Sequence, residues 1–320
     1  MKMTATSEDQ RHRSRRGWLG LAGLLVVLVV VGMLFRAPHV ATDPNDVFRD
    51  AIVRGIQDNV AKLSCAVLTW RSESRGFGPS SDEPERAGEH QLWWDGRRTA
   101  ISYVMRSTTS DPNGQVSSDL RTRSMAYDGR EFRWMELPAT PGGKAEMVIQ
   151  SKPHYRPDEN YLTEIGWLGR GLISMICMKS GPTEPGTLRY SQEGRLIKME
   201  FHNSRTGQIG IWMYDPQKAY GLVAEENYAR AGTMQAHTRI EYAQVPGGAW
   251  FPIRVATDGF NIQTGELLHQ SKREVDVGKS VFNDPAALPA DVFELKAGPN
   301  TEITDLTSLK TRIKMRLNDY

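Results

Sequence analysis

The sequence predicts an α+β domain dominated by antiparallel β-structure, behind a single apolar N-terminal helix. Three observations predict it. Between residues 208 and 277, apolar and polar residues alternate in runs broken by turn residues, which is the pattern of antiparallel strands. Asp95-Gly96 and Asp128-Gly129 stand between alternating runs, where a type I′ turn with positive φ at both central residues would join two strands. Residues 17–35 carry no charge and are long enough to cross a hydrocarbon core as a helix.

In chain order, residues 1–16 form a basic, cytoplasmic tail. Residues 1–36 hold six basic and two acidic side chains, a net +4, which leaves −2 for the rest of a chain whose total is +2. Basic residues before an apolar segment keep the N-terminus in the cytoplasm, so residues 17–36 are expected to be a transmembrane anchor. The main domain then lies outside the inner membrane, in the periplasm or its equivalent. A cleaved signal would have a shorter apolar region and small residues at the cut; Arg36, Ala37 and Pro38 fit that poorly. Ser14, Arg15, Arg16 and Gly17 also resemble a twin-arginine export signal.

Residues 37–45 read as a linker. Asp43 or Asn45 can cap a helix with Pro44 in its first turn. Val47, Phe48, Ala51, Ile52, Ile56, Val60 and Leu63 then recur at three- and four-residue spacing as one apolar stripe. A first strand is expected over 65–70, a loop over 71–88, hairpins around the two Asp-Gly pairs, loops over 107–118 and 137–143, and a strand over 144–150. Residues 160–179 repeat apolar side chains with helical period, through Leu168, Leu172 and Ile176. A hairpin around Glu193-Gly194 follows, then strands at 209–214, 222–228, 236–245, 250–257 and 267–277, with turns at Asp258-Gly259 and Thr264-Gly265. The tail, residues 297–320, is expected to be helical, packed on the domain or lying on a membrane surface.

The mixed charge of the exported part argues against nucleic-acid binding, which needs a basic face. None of the seven histidines pairs with another at metal-ligand spacing. No nucleophile elbow or phosphate-cradling loop is present. The expectation is therefore no catalytic residues, no metal and no cofactor. Cys65 and Cys177 suit neither a zinc site nor a disulfide-dense scaffold. They are either bonded to each other, as an oxidising compartment allows, or two buried thiols.

Several stretches resemble the LolA/LolB-type lipoprotein-carrier superfamily. They are Trp212 through Pro216 with Tyr220 and Gly221, residues 248–255 (GAWFPIRV), and residues 288–295 (LPADVFEL). The helix over 47–63 and the Trp94, Asp95, Gly96 turn match more loosely. The resemblance covers residues 46–296 and implies a curved antiparallel sheet, a half-open β-barrel with helices over its concave face. Such proteins hold acyl chains in the cavity. This chain departs from the soluble carriers by its anchor, and from the lipoprotein acceptors by lacking a lipobox cysteine.

If the sheet curls in that way, the apolar parity of each strand lines the cavity: Ile209, Ile211 and Met213, then Ile240 and Tyr242, then Phe251, Ile253 and Val255. Leu168, Leu172 and Ile176 would form a lid helix. Two functions compete. One is a membrane-anchored envelope protein binding a lipid or lipoprotein acyl chain. The other is an anchored sensory or protein-interaction domain with a filled core and an envelope protein as partner. An apolar void would favour the first.

Overall fold

The computed structural model describes residues 44–77, 85–110, 115–138, 143–150, 186–298 and 301–306. The chain divides into two units, Met1–Asp43 and Pro44–Tyr320, and every described residue belongs to the second. The expected anchor over 17–35, the lid residues Leu168, Leu172 and Ile176, Cys177, and residues 307–320 lie outside the described residues. Among the described residues, no helix is long and apolar enough to cross a membrane.

Among the described residues, the second unit contains helix α1 (Pro44–Val60) and fifteen strands. These are β1 (Ala66–Gly76), β2 (Glu85–Trp94), β3 (Thr99–Ser110), β4 (Val116–Tyr127), β5 (Phe132–Leu137), β6 (Ala145–Gln150), β7 (Gly186–Glu193), β8 (Leu196–Asn203), β9 (Ile209–Asp215), β10 (Gly221–Tyr228), β11 (Met234–Gln244), β12 (Trp250–Phe260), β13 (Leu267–Val275), β14 (Val281–Phe282) and β15 (Thr301–Asp305). They make one sheet in the order β15-β6-β5-β4-β3-β2-β1-β13-β12-β11-β10-β9-β8-β7, with β14 beside the start of β1. Among the described residues the path does not close, and β15 and β7 stand at its two ends. Neighbours are antiparallel, except that β15 runs parallel to β6.

The face that α1 covers is the inner face. Phe48, Ile52, Val53 and Ile56 of the helix pack on Ile197, Met199 and Phe201 of β8 and on Trp212 and Tyr214 of β9. Val60, the last residue of the helix, and Leu63 just beyond it join a second core with Leu68, Trp70, Leu92, Ile101, Phe251 and Phe282. Two amides fix the helix to the sheet. Asn59 accepts from the Trp250 N–H and donates to the Trp250 carbonyl, both at 2.8 Å. Asn45 accepts from the Tyr190 N–H at 2.8 Å. On the outer face, Leu288, Val292, Phe293 and Leu295 cover Ala100 and Ala126.

Several expectations are corrected. The polar stretches 71–76 and 107–110 are strand, not loop. Their side chains alternate little in hydropathy, yet the ladder continues, and the Thr109 and Ser117 hydroxyls bond across it at 2.6 Å. Asp258 and Gly259 lie inside β12; the turn falls beyond them, where the Asn261 side chain accepts the N–H groups of Gln263 and Thr264. In the two Asp-Gly hairpins the aspartate opens the turn rather than occupying its centre. Asp95 accepts from the N–H groups of Arg97 and Arg98, and only Gly96 takes positive φ, at 83°. Within the tail expected to be helical, Thr301–Asp305 is strand β15.

Candidate functional site

Strand register places side chains on the inner face in rows that run across the sheet. One row is Leu68, Leu92, Ile101, Met125, Trp134 and Val148. Its first three members are buried in the core, while Met125, Trp134 and Val148 are only half-buried. Two residues along each strand, about 7 Å away, lies the row Trp70, His90, Tyr103, Arg123 and Glu136. The next row is Ser72, Gly88, Met105 and Arg121, and the one beyond it Ser74, Arg86, Ser107 and Asp119. The inner face of β1–β6 thus grades from apolar to cationic along the strand direction.

The middle row is rigidly built. His90 stacks on Trp70 with ring centres 4.8 Å apart, and its Nε2 shares a 2.7 Å hydrogen bond with the Ser72 hydroxyl. Burial, helped by the charge of Arg273, lowers the His90 pKa to about 4, so the ring is neutral at physiological pH. Its Nδ1 is buried without a hydrogen-bond partner among the described residues. Arg123 donates through Nε to Glu136 at 2.8 Å and through Nη1 to the Tyr103 hydroxyl at 3.5 Å. Burial opposes its charge, but the bonds to Tyr103 and Glu136 outweigh that and raise its pKa.

One cavity opens over these rows, and a second lies mainly against the outer parity of the same strands. The first, of about 460 Å³, is lined by Arg86, Arg121, Arg123, Asp119, Tyr103, Met105 and four hydroxyl residues. The other, of about 570 Å³, also includes Arg86 and extends over polar side chains such as Arg239, Asp258 and Lys272. Neither is an apolar void. Among the described residues, no group of three His, Cys, Asp or Glu is placed to hold a metal ion.

The residues expected to line a cavity do not share one face. Ile209, Ile211 and Met213 lie opposite His202, Glu200 and Lys198 on β8, and are only half-buried. They point to the outer face, which corrects the expected parity of β9. The inner parity is Gly210, Trp212 and Tyr214. Large aromatic side chains gain more on burial than isoleucine does, and Gly210 makes room for the Trp212 ring. Ile240 and Val255 pair on the inner face and are buried. Tyr242 also points inward, against Gly221, with its hydroxyl bonded to the Leu222 backbone. Phe251 is core. Ile253 is skipped by the β11 register at a bulge. Cys65 is buried with a free thiol.

The stretches that carry the family resemblance prove to be joints of this scaffold. Asp215 is 1% exposed; it accepts from the Gln217 N–H at 3.0 Å to cap a 3₁₀ turn after which Ala219 and Tyr220 take positive φ. Trp250 is the residue clamped by Asn59, and Phe293 lies beneath the Arg98 guanidinium on the outer face, 4.3 Å from it.

These features define an open, helix-plugged antiparallel sheet with one graded face. No family model matches the sequence, and no curated protein matches it. Among solved structures, the chain is similar to a LolA superfamily protein from Nitrosomonas europaea, with 13% identity over 77% of this chain and 96% of that one, at TM-score 0.38. It is also similar to a DUF1329 family protein from Desulfovibrio piger, with 6% identity over 79% of this chain and 98% of that one, at TM-score 0.34.

Proposed function

We infer that this is a membrane-anchored, envelope-facing and non-enzymatic domain that holds a lipid or lipoprotein acyl chain on the inner face of β1–β6. The observation that carries the reading is the row through Met125, Trp134 and Val148. It continues the core row Leu68, Leu92 and Ile101 outward as half-buried apolar surface. An acyl chain laid along it would gain about 0.8 kcal/mol per methylene buried. Methionine adapts to irregular apolar ligands, and tryptophan offers a large flat contact. The sequence resemblance to lipoprotein carriers agrees with this, as does the uncharged segment over residues 17–35.

A second reading is an anchored sensory or interaction domain. It is favoured by the filling of the β7–β9 inner face by α1 and by the polar lining of both cavities. Lipid extraction and mass spectrometry of the full-length protein, with titration of a fluorescent fatty acid, separate the two. The carrier reading expects a co-purifying amphiphile, and probe binding that weakens roughly tenfold when Met125 and Trp134 are both replaced by Ala. A protein that brings no amphiphile and binds no probe leaves the interaction domain.

A further inference from the structure

We propose that the cleft between β2, β3 and β4 is a binding site for an acidic head group, phosphate or carboxylate, so that the ligand of this domain is an anionic amphiphile. The proposal rests on the reading of the inner face as an acyl-chain site and names the other end of the same ligand.

The cleft is the 460 Å³ cavity lined by Arg86, Arg121 and Arg123 against a single lining carboxylate, Asp119. Two of its three cations are held by partners. Arg121 donates through Nε to Asp119 at 2.8 Å, which leaves its terminal N–H groups for another acceptor. Arg123 is braced by Glu136 and Tyr103. Arg86 has no ion-pair partner among the described residues. It stands opposite Ser107, and the lining adds hydroxyl donors from Thr109 and Ser117, themselves bonded at 2.6 Å. Arginine forks and hydroxyls are the donors that recognise phosphate and carboxylate oxygens.

Placement makes the acid an end of something longer. Met105 and Tyr103 line the cleft, and Met125 lies one row beyond Arg123 on the same face of β4. A ligand with its acid among the arginines therefore has an apolar path beginning about one or two rows, roughly 7–14 Å, away. A zwitterionic head group would bring its own cation into a cleft that already carries an excess of positive charge.

The test uses full-length protein in neutral phosphatidylcholine nanodiscs. Calorimetry compares soluble dihexanoyl phosphatidylglycerol, dihexanoyl phosphatidylcholine and inorganic phosphate at low salt, where charge effects are least screened. The acidic lipid should bind at least roughly tenfold more tightly than the zwitterionic one. Replacing Arg86 and Arg121 together by Ala should remove that preference. Arg189→Ala, on the distant strand β7, should leave it intact, and far-UV circular dichroism checks each fold. Equal binding of the two lipids, or a preference that survives the double replacement, overturns the acid site while leaving the apolar reading standing. Arginine-dependent binding of inorganic phosphate as tight as that of the acidic lipid supports the acid site and instead overturns the acyl-chain reading.

Discussion

The two halves of the sheet solve the same problem differently. Strands β7–β10 bury their inner face under α1: Ile52 is completely buried between them, with Tyr214 equally inaccessible beneath. Strands β3–β6 continue the same kind of face with Met125, Trp134 and Val148 half-buried, and then cross into arginines. A helix-covered face can be apolar throughout because the cover is part of the chain. A face meant for a ligand must stay compatible with water in the ligand's absence, and a graded row does that. The difference also sorts the tryptophans: Trp212 is structural, and Trp134 is available.

The comparison breaks most visibly at β9. Trp212→Ala should cost about 3–5 kcal/mol of stability, as large-to-small changes in a packed core do. Ile211→Ala, one residue away on the outer face, should cost about 1 kcal/mol or less. Urea unfolding of the two variants measures this directly. Similar losses for both would mean that the two faces of β9 are equally packed, and the distinction between a plugged half and an open half would go with it.

The strand series was legible because each turn announces itself: residues 209–214 and 222–228 read as strands, and β9 and β10 match them to within a residue. Facing was harder. Hydropathy ranks isoleucine above tryptophan and tyrosine, so Ile209, Ile211 and Met213 looked like the inward set. The opposite parity won because a ring buries more area, and because Gly210 sits where the Trp212 ring needs space. The open half was missed for another reason. Strand β4 begins with six exposed residues, of which Ser117, Ser118, Asp119 and Arg121 are polar and Val116 and Leu120 apolar, so no regular alternation marks it. A usable signal was present in the turns. Asp95 and Arg98 close a loop that pairs Trp94 with Thr99, and Asp128 and Glu131 one that pairs Tyr127 with Phe132. Counting back from those turns aligns Leu92 with Ile101 and Met125 with Trp134.

The β1–β6 face carries its own weakness, in His90 of β2. Its folded pKa is about 4, against an ordinary value of 6.5. The unfolded chain therefore takes up a proton first as the pH falls. Stability is unaffected above about pH 6.5 and declines as pH drops toward 4, with a loss of about 2 kcal/mol at about pH 5. His90→Gln does not titrate and can still bond the Ser72 hydroxyl. Thermal or urea unfolding between about pH 7 and about pH 5 should show wild type losing about 2 kcal/mol more than the variant. Parallel pH profiles would mean that the ring gains its proton as easily folded as unfolded, and so is open to water.

The smallest effect sharpens the contrast through two inner-face tyrosines. Tyr103, in the open half, bonds the Arg123 guanidinium through its hydroxyl. Tyr214, in the plugged half, is completely buried, and its hydroxyl has no hydrogen-bond partner among the described residues. Burial, with the negative charge of neighbouring groups, pushes its pKa well above the ordinary tyrosine range, so the hydroxyl stays neutral. A buried hydroxyl without a partner costs about 1–3 kcal/mol relative to one left in water. Tyr214→Phe removes that cost and keeps the ring, so stability should stay level or rise by up to about 1 kcal/mol. Tyr103→Phe should fall by up to about 1 kcal/mol and release one brace on Arg123. Matched thermal melts of the two variants decide it. A loss of more than about 1 kcal/mol in Tyr214→Phe would mean that the hydroxyl has a partner under α1, and that the plugged half contains a polar contact where the packing shows only apolar ones.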